Sequence, residues 1–545
     1  MAGAAAAENG GQGMTGILGW IERSGNKLPD PVFLFFYLIV ALVVVSIICA
    51  ALGVSAFHPT TLDEATGAPL QIEAVSLLSA DNIQRLWVEM PKTFTHFHPL
   101  GYVLVVMLGA GVAERSGFFA AGMAKAVKAA PTALLTPVVA LVAMLGNHAA
   151  DAGYVVLIPL AGILFAAAGR HPLAGIAAAF AGVSGGFSAN ISPGQLDALL
   201  FGITEEAVAA SALDPSWTAN IAGNWYFISA MTFLFLPIIW YVTDKVIEPR
   251  LGPWTGGAIA GAGDDADPTV QDPALASKGL RHAGLAVLFV VLLWVAMVFA
   301  PGTPLINEGA CLNEAGAAIP DCSIHSELRP LYQSLVAAFF LLFLLAGWAY
   351  GRAVGAIKNH RDLVNMMAES MKDMGYYLVL AFAAAHFVAM FGWSNLGLIS
   401  AVHGADAIQS TGLPLPIVLG LMVIFAGLLN LFVGSASAKW ALLAPILVPM
   451  LMLLGISPEG ATAAYRVGDS ATNIITPLMV YFPLILVFAQ RWVKDFGLGS
   501  LTAMMVPYSI WLLVSGTLLI VLWFYLGIPL GPDAPVAYAL PGSGG

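Results

Sequence analysis

The sequence predicts an all-α membrane protein with nine transmembrane helices, two opposed re-entrant hairpins and an inverted-topology repeat. Three observations carry this. Hydrophobic residues make up 59% of the 545 positions and charged residues only 10%, against about 25% charged in a typical soluble domain. Runs of about 20 apolar residues, long enough to cross a bilayer, recur along the chain. A pattern of Gly, Ser, Asn and Pro inside apolar segments occurs twice. The composition excludes a disordered chain, and 3 Cys with no strict Gly period exclude a disulfide scaffold or a collagen. A net charge of -11 argues against a nucleic-acid partner. No Walker loop, HExxH, GxSxG or CxxC occurs, so neither an ATP-driven pump nor a hydrolase is expected, and no cofactor.

A polar N-terminal segment, 1–30, precedes the first span at 31–53. It sets that span apart from a signal peptide. Further spans are expected at 99–114, 172–200, 224–246, 282–300, 331–351, 375–392, 460–489 and 503–527. Two stretches fit less simply. Residues 132–168 and 414–455 each hold two apolar arms around a polar tip, GNHAADA and VGSASAK. Short arms with a polar tip suggest re-entrant hairpins, whose irregular backbone must lie in protein or face a cavity. With the N-terminus in the cytoplasm and both hairpins returning to their own side, only Arg85, Lys92 and Arg329 fall outside. Lys439 and Arg466 stay within the membrane, and every other Lys and Arg is cytoplasmic, as the positive-inside rule requires. The C-terminus is then periplasmic. The Gly-, Ala- and Asp-rich stretch 252–277 reads as a cytoplasmic linker between a first half, 31–251, and a second, 278–545. Cys311 and Cys322 share an outer loop, where they either form a stapling disulfide or remain two thiols.

The halves resemble each other residue by residue. Pro159 and Pro172 are spaced like Pro445 and Pro458, Gly182 and Ser184 match Gly468 and Ser470, and Asn190-Ile-Ser-Pro193 matches Asn473-Ile-Ile-Thr-Pro477. Pro193 and Pro477 lack an N–H and break their helices. Opposed hairpins and matched broken helices are the plan of secondary transporters, with the site near the midplane. The oxygens of Asn190, Ser192, Asn473 and Thr476, with Asn147 and Asp151 at the first tip, are hard ligands suited to a small cation; the bland reading is a pair of packed kinks.

A charge in a span costs about 2.5–3.5 kcal/mol on insertion scales, so each asks for a reason. Arg466 and Asp469 lie three apart on one helix face. Either they satisfy each other, or Arg466 offers its fork to a substrate carboxylate while Asp469 balances it or binds the coupling cation. Ser437 and Trp440 stand beside Lys439 at the second tip, where Trp440 could stack on an aromatic ring or simply mark an interface. Asp197 follows the first break, as a cation ligand, a proton carrier or a solvated carboxylate.

Three segments, GNKLPDPV (25–32), GSASAKW (434–440) and YRVGDSATNIITP (465–477), resemble signatures of the aminobenzoyl-glutamate transporter (AbgT) family. The resemblance covers nearly the whole chain. It implies a homodimer in the bacterial inner membrane, bowl-shaped and open to the cytoplasm. It also implies cation-driven movement, with sodium or protons, of p-aminobenzoyl-glutamate and related folate-pathway compounds. Some members are said to export p-aminobenzoate and sulfonamides, a route to sulfonamide resistance. The matching functional positions are Asp197, Ser437, Trp440, Arg466, Asp469 and Pro477. A plain dicarboxylate carrier is the second reading, since a ring-free substrate would not need Trp440; an ion channel is a third.

Overall fold

The computed structural model describes residues 29–62, 66–149, 152–255, 273–299, 302, 304–312, 324–476 and 478–541. Asp151, Cys322, Pro477, the segment 1–28 and residues 256–272 of the linker lie outside them. Cys311 is disulfide-bonded and Cys49 is free.

Helix α1, Pro31–Ala51, starts where the Asp30 carboxylate accepts from the Val32 N–H at 2.8 Å and Pro31 presets the first turn. An antiparallel hairpin follows, β1 Ser55–Leu62 with β2 Pro69–Glu73. Then come α2 Ala80–Thr95, α3 His98–Arg115 and α4 Phe118–Lys128. The first hairpin is α5 Leu135–Leu145 and α6 Ile158–Ala167, the latter preceded by a π turn at Gly153–Leu157. Next are α7 Pro172–Phe180, α8 Gln195–Ser211, α9 Trp225–Leu251, α10 Pro273–Phe299 and α11 Leu335–Val354. The second half continues with α12 His360–Asp373, α13 Gly375–Trp393 and α14 Leu396–Ser410. Its hairpin is α15 Leu415–Asn430 and α16 Ala436–Leu453, followed by α17 Pro458–Asn473, α18 Phe482–Gln490 and α19 Leu498–Tyr525.

Among the described residues, 8 helices are long and apolar enough to cross a membrane, or up to 10 if each of two bent pairs forms one span. Seven coincide with expected spans. The eighth is α16, whose 18 residues exceed the short arm expected for it. The expected spans at 172–200 and 460–489 are each two helices. The first breaks earlier than Pro193: α7 ends in a π turn at Ala181–Gly185, and 186–194 run irregularly before α8. Burial explains α8, which the apolar count cut short at 200: it carries Glu205 and Glu206 yet packs against α3 and α16. Tyr102 donates to Glu205 at 2.9 Å and His98 bonds Glu206 at 2.8 Å, which makes those carboxylates tolerable.

The two halves share devices that the proline spacing did not announce. The bend between α4 and α5 is 117° and that between α14 and α15 is 119°. Gly182 faces the first arm of its own hairpin, where an added Cβ would stand 2.5 Å from the Ala143 Cβ. Gly468 faces α15, and its Cβ would stand 2.1 Å from the Val423 carbonyl oxygen. Small residues let helices in a membrane approach this closely. The broken helices also meet. Ser470 donates to the Gly185 carbonyl at 2.9 Å and accepts from the Ser188 N–H at 3.0 Å. Gly468→Ala should therefore lower the stability of the detergent-purified protein by about 1–3 kcal/mol through overpacking. A thermal melt checks it, with Gly497→Ala as the control, since nothing lies within 4 Å of a Cβ there.

Two clamps fix the ends of the bundle. At the base of the first hairpin, Arg170 binds Asp244 at 2.6 Å, Thr136 at 2.7 Å and Glu248 through Nε at 3.1 Å. At the other end the chain after α19 doubles back. The Tyr538 N–H donates to the Gly455 carbonyl at 2.9 Å and the Asn220 amide to the Pro532 carbonyl at 2.6 Å.

Candidate functional site

Polar residues along α17, at the end of α15 and at the start of α16 build the site. Helix α17 is buried along its length yet carries Arg466, Asp469 and Asn473 on successive turns. Such residues cannot stay in an apolar bundle without partners. Arg466 is 1% exposed; its Nη1 meets the Asp197 carboxylate at 2.7 Å and the Asn224 carbonyl oxygen at 3.3 Å. Asp197 sits in the first turn of α8, and its other oxygen accepts from the Gly194 N–H at 2.8 Å. The carboxylate thus caps a helix and neutralises a guanidinium at once. Among the described residues Arg466 Nε has no hydrogen-bond partner.

Asp469 does not balance Arg466, although the two are three residues apart. Its carboxylate pairs with the Lys439 ammonium, which also donates to the Asn430 side-chain Oδ1. Asn430 ends α15, and its amide nitrogen donates to the Asp469 carbonyl at 2.7 Å, Thr472 Oγ1 at 2.9 Å and Asn473 Oδ1 at 3.1 Å. Thr476 Oγ1 lies 3.2 Å from the Asn430 carbonyl. The second break is therefore tied to the second tip through one asparagine. Two buried pairs result: Arg466 links α17 to the first half, and Lys439 links it to its own hairpin.

Trp440 is fully buried. Its ring stacks on Tyr465 at 4.5 Å and its Nε1 donates to Thr204 at 2.9 Å. The ring and its N–H are thus committed to protein in this conformation. Ser437 bonds the Ser435 hydroxyl at 3.3 Å and lines a narrow cleft against α3 and α13. At the first tip, the amide nitrogens of Asn147 and Asn190 both donate to the Met144 carbonyl, at 3.0 and 3.4 Å, and Ser192 bonds His148 at 3.1 Å. The expected cation ligands therefore fall into two groups, Asn147, Asn190 and Ser192 at one break, and Asp469, Asn473 and Thr476 at the other.

Between the breaks lies a cavity of about 420 Å³. The two halves contribute alike: Asn147, Phe187 and Gln195 from the first, Gly434, Asn473 and Tyr481 from the second. Tyr154 and Tyr481 stack on each other at its wall, with centroids 4.3 Å apart and planes at 10°. Neither Arg466 nor Trp440 lines it. Reading the sequence singled out Lys439 as a membrane-embedded base but missed its partner Asn430. A lone Asn ending an apolar arm was the available signal. Tyr154 and Tyr481 gave none, because aromatic residues are common in spans.

Paired helix breaks, a buried ion pair that joins the two halves and a cavity lined from both sides define a multi-pass membrane transporter and not an enzyme. The chain belongs to the AbgT family: the model of the AbgT putative transporter family matches residues 16–538. It is similar to the p-aminobenzoyl-glutamate transport protein of Escherichia coli (strain K12), 36% identical over 518 residues that cover 95% of this chain and 96% of that protein. Among solved structures it is similar to the YdaH transporter of Alcanivorax borkumensis, with TM-score 0.82, 41% identity and coverage of 92% of this chain and 100% of that one. It is also similar to Neisseria gonorrhoeae MtrF, described with a class of antimetabolite efflux pumps, with TM-score 0.84, 42% identity and coverage of 95% and 100%.

Proposed function

We propose that this protein is a secondary active transporter of p-aminobenzoyl-glutamate and related aromatic carboxylates, driven by a cation gradient, which also exports p-aminobenzoate or sulfonamide antimetabolites. The observation that carries this is the cavity between the two breaks, with its stacked tyrosines beside amide groups. Rings supply apolar, orienting contact to an aromatic substrate, and amides supply hydrogen bonds. The 36% identical relative named for p-aminobenzoyl-glutamate and the antimetabolite pump MtrF support the substrate class. The aromatic lining favours this reading over a ring-free dicarboxylate carrier.

The mechanism follows from the pairs. Nine spans and two opposed hairpins, in halves 31–251 and 278–545, form an inverted repeat that rocks about the fixed breaks. The matched bends and the close glycines support that arrangement. Arg466 contacts a substrate carboxylate in the state where Asp197 releases it, and Ser437, Trp440 and Pro477 shape the path. A sodium ion or proton binds among Asp469, Asn473 and Thr476, or among Asn147, Asp151, Asn190 and Ser192. The donors are hard oxygens, which fit sodium. The protein works as a homodimer in the inner membrane, N-terminus in the cytoplasm. Proteoliposomes with imposed sodium or proton gradients and labelled p-aminobenzoyl-glutamate test this. Saturable flux stimulated by one gradient is expected; flux that does not saturate points to a channel, and equal preference for a plain dicarboxylate points to the second reading.

A further inference from the structure

Among the described residues, the cavity between the breaks has a single basic residue in its lining, Arg115. It ends α3, and its guanidinium binds the Asp373 carboxylate at the end of α12. Both residues line the cavity. Their exposures differ: the Arg115 side chain is 27% exposed and that of Asp373 64%. Arg466, by contrast, is sealed away from the cavity and held by Asp197. A carboxylate in the cavity therefore meets Arg115 before any other guanidinium.

We propose that Arg115 is the carboxylate-recognition residue of the substrate cavity, and that Asp373 is an internal carboxylate which the substrate displaces. The assignment rests on the aromatic-carboxylate reading above. A guanidinium presents a planar fork that a carboxylate matches with two parallel bonds. An exposed pair such as Arg115 and Asp373 is held weakly, and Asp373 returns to water on release at little cost because it is mostly hydrated already. Substrate then gains the fork, while its ring reaches the Tyr154 and Tyr481 side of the same cavity. Glu114 also lines the cavity. Two carboxylates in the lining against one guanidinium disfavour an anion unless Asp373 swings away, so the aspartate sets affinity.

The two residues should thus have opposite effects on binding. Calorimetry on the full-length protein in detergent would compare p-aminobenzoyl-glutamate with sulfanilamide, an aromatic amide without a carboxylate. Arg115→Ala and Arg115→Lys should weaken p-aminobenzoyl-glutamate by about 10- to 100-fold, the loss of one charge-assisted fork, and leave sulfanilamide within about twofold. Asp373→Asn should tighten p-aminobenzoyl-glutamate by about 3- to 10-fold, the competitor being gone. Retained sulfanilamide binding shows that each variant is folded. Unchanged p-aminobenzoyl-glutamate binding in Arg115→Ala, or weakening in Asp373→Asn, overturns the assignment and leaves the functional reading standing. Wild-type protein that binds no p-aminobenzoyl-glutamate overturns that reading and the assignment together.

Discussion

Arg466→Ala should abolish transport and destabilise the protein by about 3–5 kcal/mol, because removing one partner of a buried pair strands the other. The stranded group is Asp197, 3% exposed, whose remaining contact is the Gly194 N–H. Arg466→Lys keeps the charge and can replace the one nitrogen, Nη1, that holds Asp197 and Asn224, but it loses the planar fork that a carboxylate matches, so it should transport little better than alanine. The decisive variant is the double change Arg466→Gln with Asp197→Asn. It removes both charges and can keep an amide contact, so it should melt within a few degrees of wild type. If Arg466 also serves substrate or gating, this stable protein will not transport. Recovery of transport in proteoliposomes would show that Arg466 only neutralises Asp197.

The layout was legible where the bilayer alone dictates sequence. Spans such as 31–53 and 503–527 match α1 and α19 because a lipid-facing helix must be apolar throughout. Reading failed where protein replaces lipid as the neighbour. Helix α8 holds two glutamates and α17 holds an arginine and an aspartate, so hydropathy dilutes them, yet these are among the most buried helices in the molecule. Helices α4 and α14 escaped for the opposite reason: they are too short and mixed to count as spans, though each turns the chain into a hairpin. The β1–β2 hairpin lies outside the apolar runs, so hydropathy gives it no signal.

The site was half legible. The insertion cost singled out Arg466, Asp469 and Lys439 as residues that need a reason inside the membrane, since that cost depends only on residue type and depth, while Asp197 stayed open to a solvated role. Which pairs with which depends on how the halves dock. Helical spacing suggested Arg466 with Asp469, but the side chains point to different neighbours: α8 on one side and the second hairpin tip on the other. Trp440 shows the same limit. Its place at a tip suggested an exposed platform, while Thr204 and Tyr465 already take its N–H and its face.

Lys439→Met should be the other variant with a large effect, and it separates a structural ammonium from a working one. Lys439 is 2% exposed and joins Asp469 to Asn430. Its loss leaves a 1% exposed carboxylate unpaired, at a cost of about 3–5 kcal/mol in the absence of a replacement charge. The oxygens that converge on the ammonium remain, so a small cation can take its place. Melting of Lys439→Met should then rise with sodium and not with choline at equal ionic strength, since a ligand that binds only the folded state stabilises it by mass action. A tenfold excess over the dissociation constant contributes about 1.4 kcal/mol. Asp469→Asn added to Lys439→Met should remove the sodium response and recover much of the lost stability, but not transport. A melt of Lys439→Met that is insensitive to sodium, with transport near the wild-type rate, would reduce the pair to a packing contact and shift the cation to the group at Asn147, Asn190 and Ser192.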